Sequence, residues 1–313
     1  MDWRWSRKEG LVSASQAYWH YVFWLEFAGV TVLVIGFIAV RRQLSFNLDA
    51  LPILGRVFVP ASLAVFGAEH LDSAKFIMQL VPAWMPARFF WAYFVGFALF
   101  AAAISITLMK YVRWSAPLLG TMFFLFVLLI HIPNVVHTPH DRFRWAVAAR
   151  DLVFSAGAWA LAATQMAERH PQLAHRLIAG CRMVFAGVLL FFGIEHVLHP
   201  QYLPGVPLEQ LTLAWIPIRS LWGYFIGALL VMTGFTLLIN KHARAATTWL
   251  GLAITVVVLL IYTPLLVVAA KPSEMITAVN YIADTLLFAG CIFLLAGALP
   301  ATSGSSGAIR QAA

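Results

Sequence analysis

Phe66-Gly67-Ala68-Glu69-His70-Leu71 is followed by Ala83-Trp84-Met85-Pro86-Ala87-Arg88-Phe89-Phe90-Trp91-Ala92-Tyr93-Phe94-Val95-Gly96, and both segments return later in the chain. The second copy reads Phe192-Gly193-Ile194-Glu195-His196-Val197, then Ala214-Trp215-Ile216-Pro217-Ile218-Arg219-Ser220-Leu221-Trp222-Gly223-Tyr224-Phe225-Ile226-Gly227. Eight of the 14 positions in the longer segments are identical and most others are apolar in both, which shared hydrophobicity alone would not produce. The chain is an internal duplication. Glu69 and Glu195 lie 126 positions apart but Trp84 and Trp215 lie 131 apart, so the second copy carries five extra residues, in a loop with Pro200, Pro204, Gly205 and Pro207. The correspondence extends to Arg56 and Arg182, to Pro133 and Pro264, and to Asp151 and Asp284.

The composition, 62% hydrophobic and only 11% charged over 313 residues, lies outside the range of soluble globular chains. Apolar stretches long enough to cross a roughly 30 Å hydrocarbon layer at about 20 residues each lie near 18–40, 50–71, 90–109, 115–132, 147–166, 177–198, 220–239, 246–268 and 280–299. Their similar length, without period-two alternation, predicts helices and not a barrel. The fold class expected is therefore an all-α polytopic integral membrane protein with about nine transmembrane helices. Trp19, Trp84, Trp91, Trp114, Trp145, Trp215, Trp222 and Trp249 fall near span ends, as interfacial anchors do. The net charge of +8 is spread over short loops with no basic face suited to nucleic acid, so anionic lipid headgroups are the expected partners. Cys181 and Cys291 each sit inside a span without a nearby thiol, and read as packing residues. The first apolar span is too long for a signal-peptide core of about 7–15 residues.

Four domains of organisation follow. Residues 1–47 hold an N-terminal helix, 48–166 a first four-helix repeat, 167–299 a second, and 300–313 a flexible tail. Four is even, so the copies enter and leave on the same side and are parallel, unlike the inverted repeats of many transporters. Equivalent residues then share a depth. Glu69, His70, Arg88, Pro133 and Asp151 fall near one membrane face with Glu195, His196, Arg219, Pro264 and Asp284. Basic residues are nearly balanced between the faces, with a weak bias making the Arg41-Arg42, Lys110-Arg113 and Lys241-Arg244 side cytoplasmic.

Carboxylates inside a membrane helix cost about 2.5–3.5 kcal/mol on insertion scales, so Glu69 and Glu195 require partners. Adjacent helical residues point roughly 100° apart, so Glu69 and His70 serve different neighbours. Two accounts compete: Glu69 pairs with Arg88 and Glu195 with Arg219 as structural pins, or each Glu, His, Arg and Asp converges as a polar pocket at a bundle mouth, with Glu69 and His70 as proton-relay candidates. The binding candidates are Glu69, His70, Trp84, Arg88, Trp91, His131, Asn134 and Asp151, with pseudo-equivalents Glu195, His196, Trp215, Arg219, Trp222 and Asp284. The first copy is favoured, because His131 and Asn134 stand where the second has Tyr262 and Leu265. Pro133 and Pro139 are expected to break the helix and leave His137 and His140 in a loop, so the histidines read as hydrogen-bonded or surface groups and not as metal or haem ligands. Glu26, on the leading helix, is expected to meet a partner within the bundle.

At Phe66-Gly67-x-Glu69-His70, Trp84-x-Pro86-x-Arg88-x-x-Trp91-x-Tyr93-x-x-Gly96 and Pro133-Asn134 the chain resembles the DoxX-like superfamily of four-helix membrane proteins, over nearly all of 48–299 and in two tandem copies. The resemblance implies integral-membrane, redox-associated roles in quinone-linked assemblies, within a bacterial inner membrane. By position it carries over only Gly67 with His70 and Gly193 with His196. The expected function is a redox-associated or scaffold subunit of a membrane complex, partnered by lipids and other membrane subunits. A quinone-type headgroup would bind in repeat 1, with His70 donating to a carbonyl, Arg88 stabilising negative charge, and Trp84 and Trp91 walling the ring. The alternative is a carrier of a small solute or lipid at the repeat interface. No catalytic or cofactor motif is present in the sequence, so enzymatic activity is left open.

Overall fold

A computed structural model describes residues 3–45, 47–206, 209, 212, 213 and 215–301, with side chains from 20 onward except 272. The Trp19 anchor expected from sequence lies outside the described side chains, as does the tail beyond 301. Among the described residues there is no β-strand, and nine helices are long and apolar enough to span a membrane. They are α1 (Trp3–Val40), α2 (Gly55–Asp72), α3 (Arg88–Leu108), α4 (Val112–Phe126, continued to His137), α5 (Arg142–Met166), α6 (Pro171–Leu198), α7 (Arg219–Ile239), α8 (Ala243–Val257, continued to Val268) and α9 (Pro272–Ala298). The protein is an integral membrane helical bundle with one leading helix and two parallel four-helix repeats.

The duplication is written into the backbone as well as the sequence. Three pairs of non-glycine residues adopt left-handed dihedrals at equivalent places: Ala87 and Ile218 before α3 and α7, Met109 and Asn240 after them, Tyr111 and His242 before α4 and α8. Each such L-residue costs roughly 1–2 kcal/mol, so the same sharp corners are imposed by the packing of both copies. The prolines do not end their helices as the sequence suggested. A proline ring lacks an N–H and crowds the carbonyl four residues earlier, and Pro133 and Pro264 are accommodated by a π turn, at Val127–His131 and Val258–Tyr262, after which α4 runs on to His137 and α8 to Val268. His137 therefore closes a helix; His140 lies in a turn.

α5 and α9 begin earlier than their apolar cores imply. Asp141 caps α5 by accepting from the Phe143 N–H at 3.1 Å, and Glu274 accepts the N–H groups of Ala270 and Lys271 at 2.9 and 3.3 Å. Asp151 and Asp284 are consequently placed inside their helices, not at their heads.

The two repeats interlock. Within each, successive helices pack side by side, but α2 lies against α9 and α6 against α5, so the first helix of either repeat closes mainly on the last helix of the other. α5 and α9 also touch, and together with α2 they form the buried centre, while α1 covers α2 and part of α9. Small residues allow this. A Cβ on Gly157 of α5 would sit 2.5 Å from Cys291 Cβ of α9, and one on Gly55 would sit 2.8 Å from Gly290 O. Both cysteines are buried packing residues.

Candidate functional site at one membrane face

The centre of the bundle holds a charged cluster built around a residue the sequence reading passed over. Arg150 of α5 donates from Nε to Asp151 Oδ1 at 3.1 Å and from Nη1 to Asp284 Oδ2 at 2.6 Å. Asp151 and Asp284 are the equivalent carboxylates of the two repeats, so one guanidinium serves both near the pseudo-two-fold axis. Its counterpart in repeat 2 is Ala283, which is why repeat symmetry alone could not reveal it. The available signal was a basic residue directly before an acidic one inside an apolar span.

His131, at the end of the π turn in α4, extends this cluster outward: its Nε2 lies 2.8 Å from Asp151 Oδ2. Glu69 stands on the other side, accepting from Tyr21 Oη of α1 at 3.3 Å and from Asn280 Nδ2 of α9 at 3.1 Å. The expected Glu69–Arg88 and Glu195–Arg219 pairs are not formed. Arg88 is exposed at the start of α3, and Glu195 sits 3.5 Å from Arg142 Nη1, whose guanidinium also stacks over Tyr202 at 4.3 Å. The partners come from helices that the packing brings alongside, two neutral donors for Glu69 and an arginine for Glu195, and not from the arginine next along the chain. Glu26 is half-buried on α1, with no hydrogen bond or ion pair to a described residue.

The two histidines of the repeated motif differ in one respect. His196 is fully buried, with Nδ1 2.6 Å from Phe192 O, and its Nε2 accepts the Gly205 N–H at 3.0 Å. A backbone amide can only donate, so the proton of this ring is on Nδ1 and is given to Phe192 O. His70 repeats the inner half of the arrangement, with Nδ1 2.7 Å from Phe66 O, but no described residue bonds its Nε2. The Nδ1 proton is given to Phe66 O, so in the neutral ring Nε2 is an acceptor.

The cause is the five-residue difference between the loops. In repeat 2 the segment Leu203-Pro204-Gly205-Val206 dives into the bundle and is buried, with Gly205 against the fully buried Tyr262 ring. In repeat 1 the chain winds as a short helix, Ala74–Ile77, packed on Ala92, and then stays outside: Leu80 is 54% exposed, whereas Val206 in the longer loop of repeat 2 is 2% exposed. The surrounding positions follow suit. Phe192, Ile261, Tyr262 and Leu265 of repeat 2 are buried, whereas Phe66, Ile130 and His131 are half-buried and Asn134 is exposed. Ala148 also replaces the larger Tyr281. Repeat 2 is covered by its own chain, whereas the matching residues of repeat 1 are left partly exposed.

The structure thus brings His131, Asp151 and Asp284 together around Arg150, holds Glu69 separately on Tyr21 and Asn280, and leaves His70 half-buried and Asn134 exposed in repeat 1. The tryptophans stand apart from the carboxylates. Trp84 is 70% exposed and Trp215 exposed; Trp91 donates to Pro86 O at 3.0 Å, bracing the corner before α3, and Trp222 packs on the core. Arg219, like Arg88, is exposed at its helix start. Among the described residues no three His, Cys, Asp or Glu side chains converge as metal ligands do. No protein-family model, curated protein or solved structure matches the chain.

Proposed function

We propose that this protein is a DoxX-like, redox-associated or scaffold subunit of a bacterial inner-membrane complex, and that repeat 1 receives the quinone-type headgroup of a lipid-soluble molecule while repeat 2 is a closed copy serving the architecture. One observation carries this reading: residues buried in repeat 2 beneath Leu203–Val206 have counterparts around His70 that lie partly open. Binding sites for small molecules are concave, mostly apolar, and carry a few placed polar groups. Phe66 and Ile130 supply the apolar walls here, and His70, His131 and Asn134 the polar points. The Arg150 cluster behind them fixes the helices that carry these groups.

Cysteine labelling tests the reading. His70→Cys, in membranes or nanodiscs, is expected to react readily with a membrane-permeant maleimide and to be protected by a short-chain quinone analogue, whereas His196→Cys is expected to stay unreactive. Equal reactivity at the two positions would remove the distinction on which the proposal stands.

A further inference from the structure

We infer that a cleft at the end of repeat 1 remote from His70 holds the head of a zwitterionic aminophospholipid, its phosphate against Arg113 and Arg169 and its ammonium toward Glu168. The cleft has a volume of about 390 Å³ and lies where the start of α4 meets the end of α5, lined by Tyr111, Arg113, Gln165, Glu168 and Arg169 among others. Small-molecule sites run from about 300 to 1,000 Å³, so a headgroup-sized ligand is within its range. This site is separate from the one proposed around His70 and stands without it.

Repeat 2 shows what this arginine does when the protein uses it internally. Arg113 and Arg244 are counterparts, each two residues after the left-handed corner at Tyr111 and His242. Arg244 donates to Asp49 Oδ1 and O, in the α1–α2 connection, and to Ala296 O and Leu299 O at the end of α9. The counterpart of Leu299 is Met166, each fifteen residues beyond the aspartate that Arg150 holds. Met166 O already accepts the Arg169 N–H at 3.1 Å and the His170 N–H at 2.8 Å, so the turn after α5 takes both lone pairs of that carbonyl. Arg113 is thereby left without the acceptor its counterpart uses. Apart from lying over the Trp114 ring at 5.7 Å, its guanidinium makes no hydrogen bond or ion pair with a described residue, and the guanidinium of Arg169 makes none either.

The lining sets the chemistry of the occupant. Two guanidiniums and one carboxylate border the same space, and among the described residues none of the three pairs with another. A guanidinium meets a phosphate through two parallel N–H···O bonds, and basic pockets between membrane helices take lipid heads. A phosphodiester carrying only hydroxyls beyond the phosphate would satisfy the arginines and leave Glu168 without a cation. A phosphodiester carrying an ammonium supplies both signs. Depth selects a lipid over a soluble phosphate ester. Tyr111, which lines the cleft, and Trp114 and Leu118 farther along α4 are all strongly exposed. Tyr and Trp collect at headgroup level, so a lipid lying along α4 presents its head at the height of the cleft.

The full chain, delipidated in detergent micelles, is titrated with dioleoyl-phosphatidylethanolamine and with dioleoyl-phosphatidylglycerol, and the lipid-bound fraction is read by native mass spectrometry; inorganic phosphate is the competitor in a third arm. The result expected is tighter binding of phosphatidylethanolamine, lowered about fivefold in Arg113→Gln, the scale of a partly exposed ion pair. Lys75→Gln, which removes a charge at the other end of the bundle, is expected to change nothing. Glu168→Gln is expected to abolish the preference for phosphatidylethanolamine while leaving phosphatidylglycerol bound. Binding that is the same in Arg113→Gln as in the unsubstituted chain overturns the site. Phosphatidylglycerol bound as well as phosphatidylethanolamine by the unsubstituted chain overturns the assignment of the ammonium to Glu168. Displacement of the lipid by an equal concentration of inorganic phosphate overturns the assignment to a lipid and makes the ligand a soluble anion.

Discussion

Arg150 Nη1 donates to Asp284 Oδ2 at 2.6 Å, joining residues 134 positions apart and tying the last helix of one repeat to the last helix of the other. The same guanidinium holds Asp151, and both carboxylates are buried. Removing one partner of a buried ion pair is strongly destabilising, because the remaining charge is left without compensation. Arg150→Met is therefore expected to cost about 3–5 kcal/mol, read as a fall in melting temperature in nanodiscs. Adding Asp284→Asn to that variant is expected to recover part of the loss. A double variant whose loss equals the sum of the two singles would show that the groups do not interact.

The two histidines of the repeated motif should respond unequally to truncation. His196→Ala empties a fully buried site and leaves the Gly205 N–H and the Phe192 carbonyl without their ring partners, for which about 3 kcal/mol is expected from lost bonds and cavity together. His70→Ala removes one bond from a half-buried ring and should cost about 1 kcal/mol. Parallel thermal melts of the two variants check the order. Equal losses would show that the buried segment Leu203–Val206 contributes nothing through His196.

Close approach of α5 to α9 sets up a steric prediction. A Cβ on Gly157 would meet Cys291 Cβ at 2.5 Å and Cys291 Cα at 3.0 Å, so Gly157→Ala should lower the yield of folded protein and its melting temperature. Because the obstruction is Cβ to Cβ, Cys291→Gly in the same chain should restore much of the loss, whereas Cys291→Ser should not. Size-exclusion profiles and melts of the three chains distinguish these outcomes.

What could be read in advance follows from the solvent. Span number and length are imposed by the bilayer's thickness, and the duplication by repeated residues, so both were legible. Which helix packs on which was not. An apolar face turned to lipid has the same composition as one turned to protein, and the tandem order suggested two self-closed bundles where α2 in fact closes on α9 and α6 on α5. That error carried into the site. The Glu69–Arg88 pair, one of the two accounts open from sequence, does not form because the interlock sets Glu69 beside Asn280, and Arg150 has no basic counterpart to mark it, since Ala283 stands in its place. His131 and the asymmetry of the copies were legible, since they needed only a comparison of aligned positions. The covering loop of repeat 2 was visible as an insertion, and only its path into the bundle gave it meaning.

At the opposite end of the bundle Arg244 joins two connections, and its geometry distinguishes Arg from Lys. Arg244, near the start of α8, donates to Asp49 Oδ1 at 3.3 Å and Asp49 O at 3.0 Å in the α1–α2 connection, and to Ala296 O at 3.2 Å and Leu299 O at 2.9 Å at the end of α9. The last carbonyls of a helix lack intrahelical donors, and a planar guanidinium can reach two of them from Nη1 while its other nitrogens hold the connection. An ammonium is a compact donor and cannot span both sets at once. Arg244→Lys, though it keeps the charge, is thus expected to cost about 1–2 kcal/mol, and amide exchange near Leu299 should quicken before any change appears around His70. An Arg244→Lys chain with unchanged melting temperature and exchange would show that charge alone, and not the fork of donors, holds this face together.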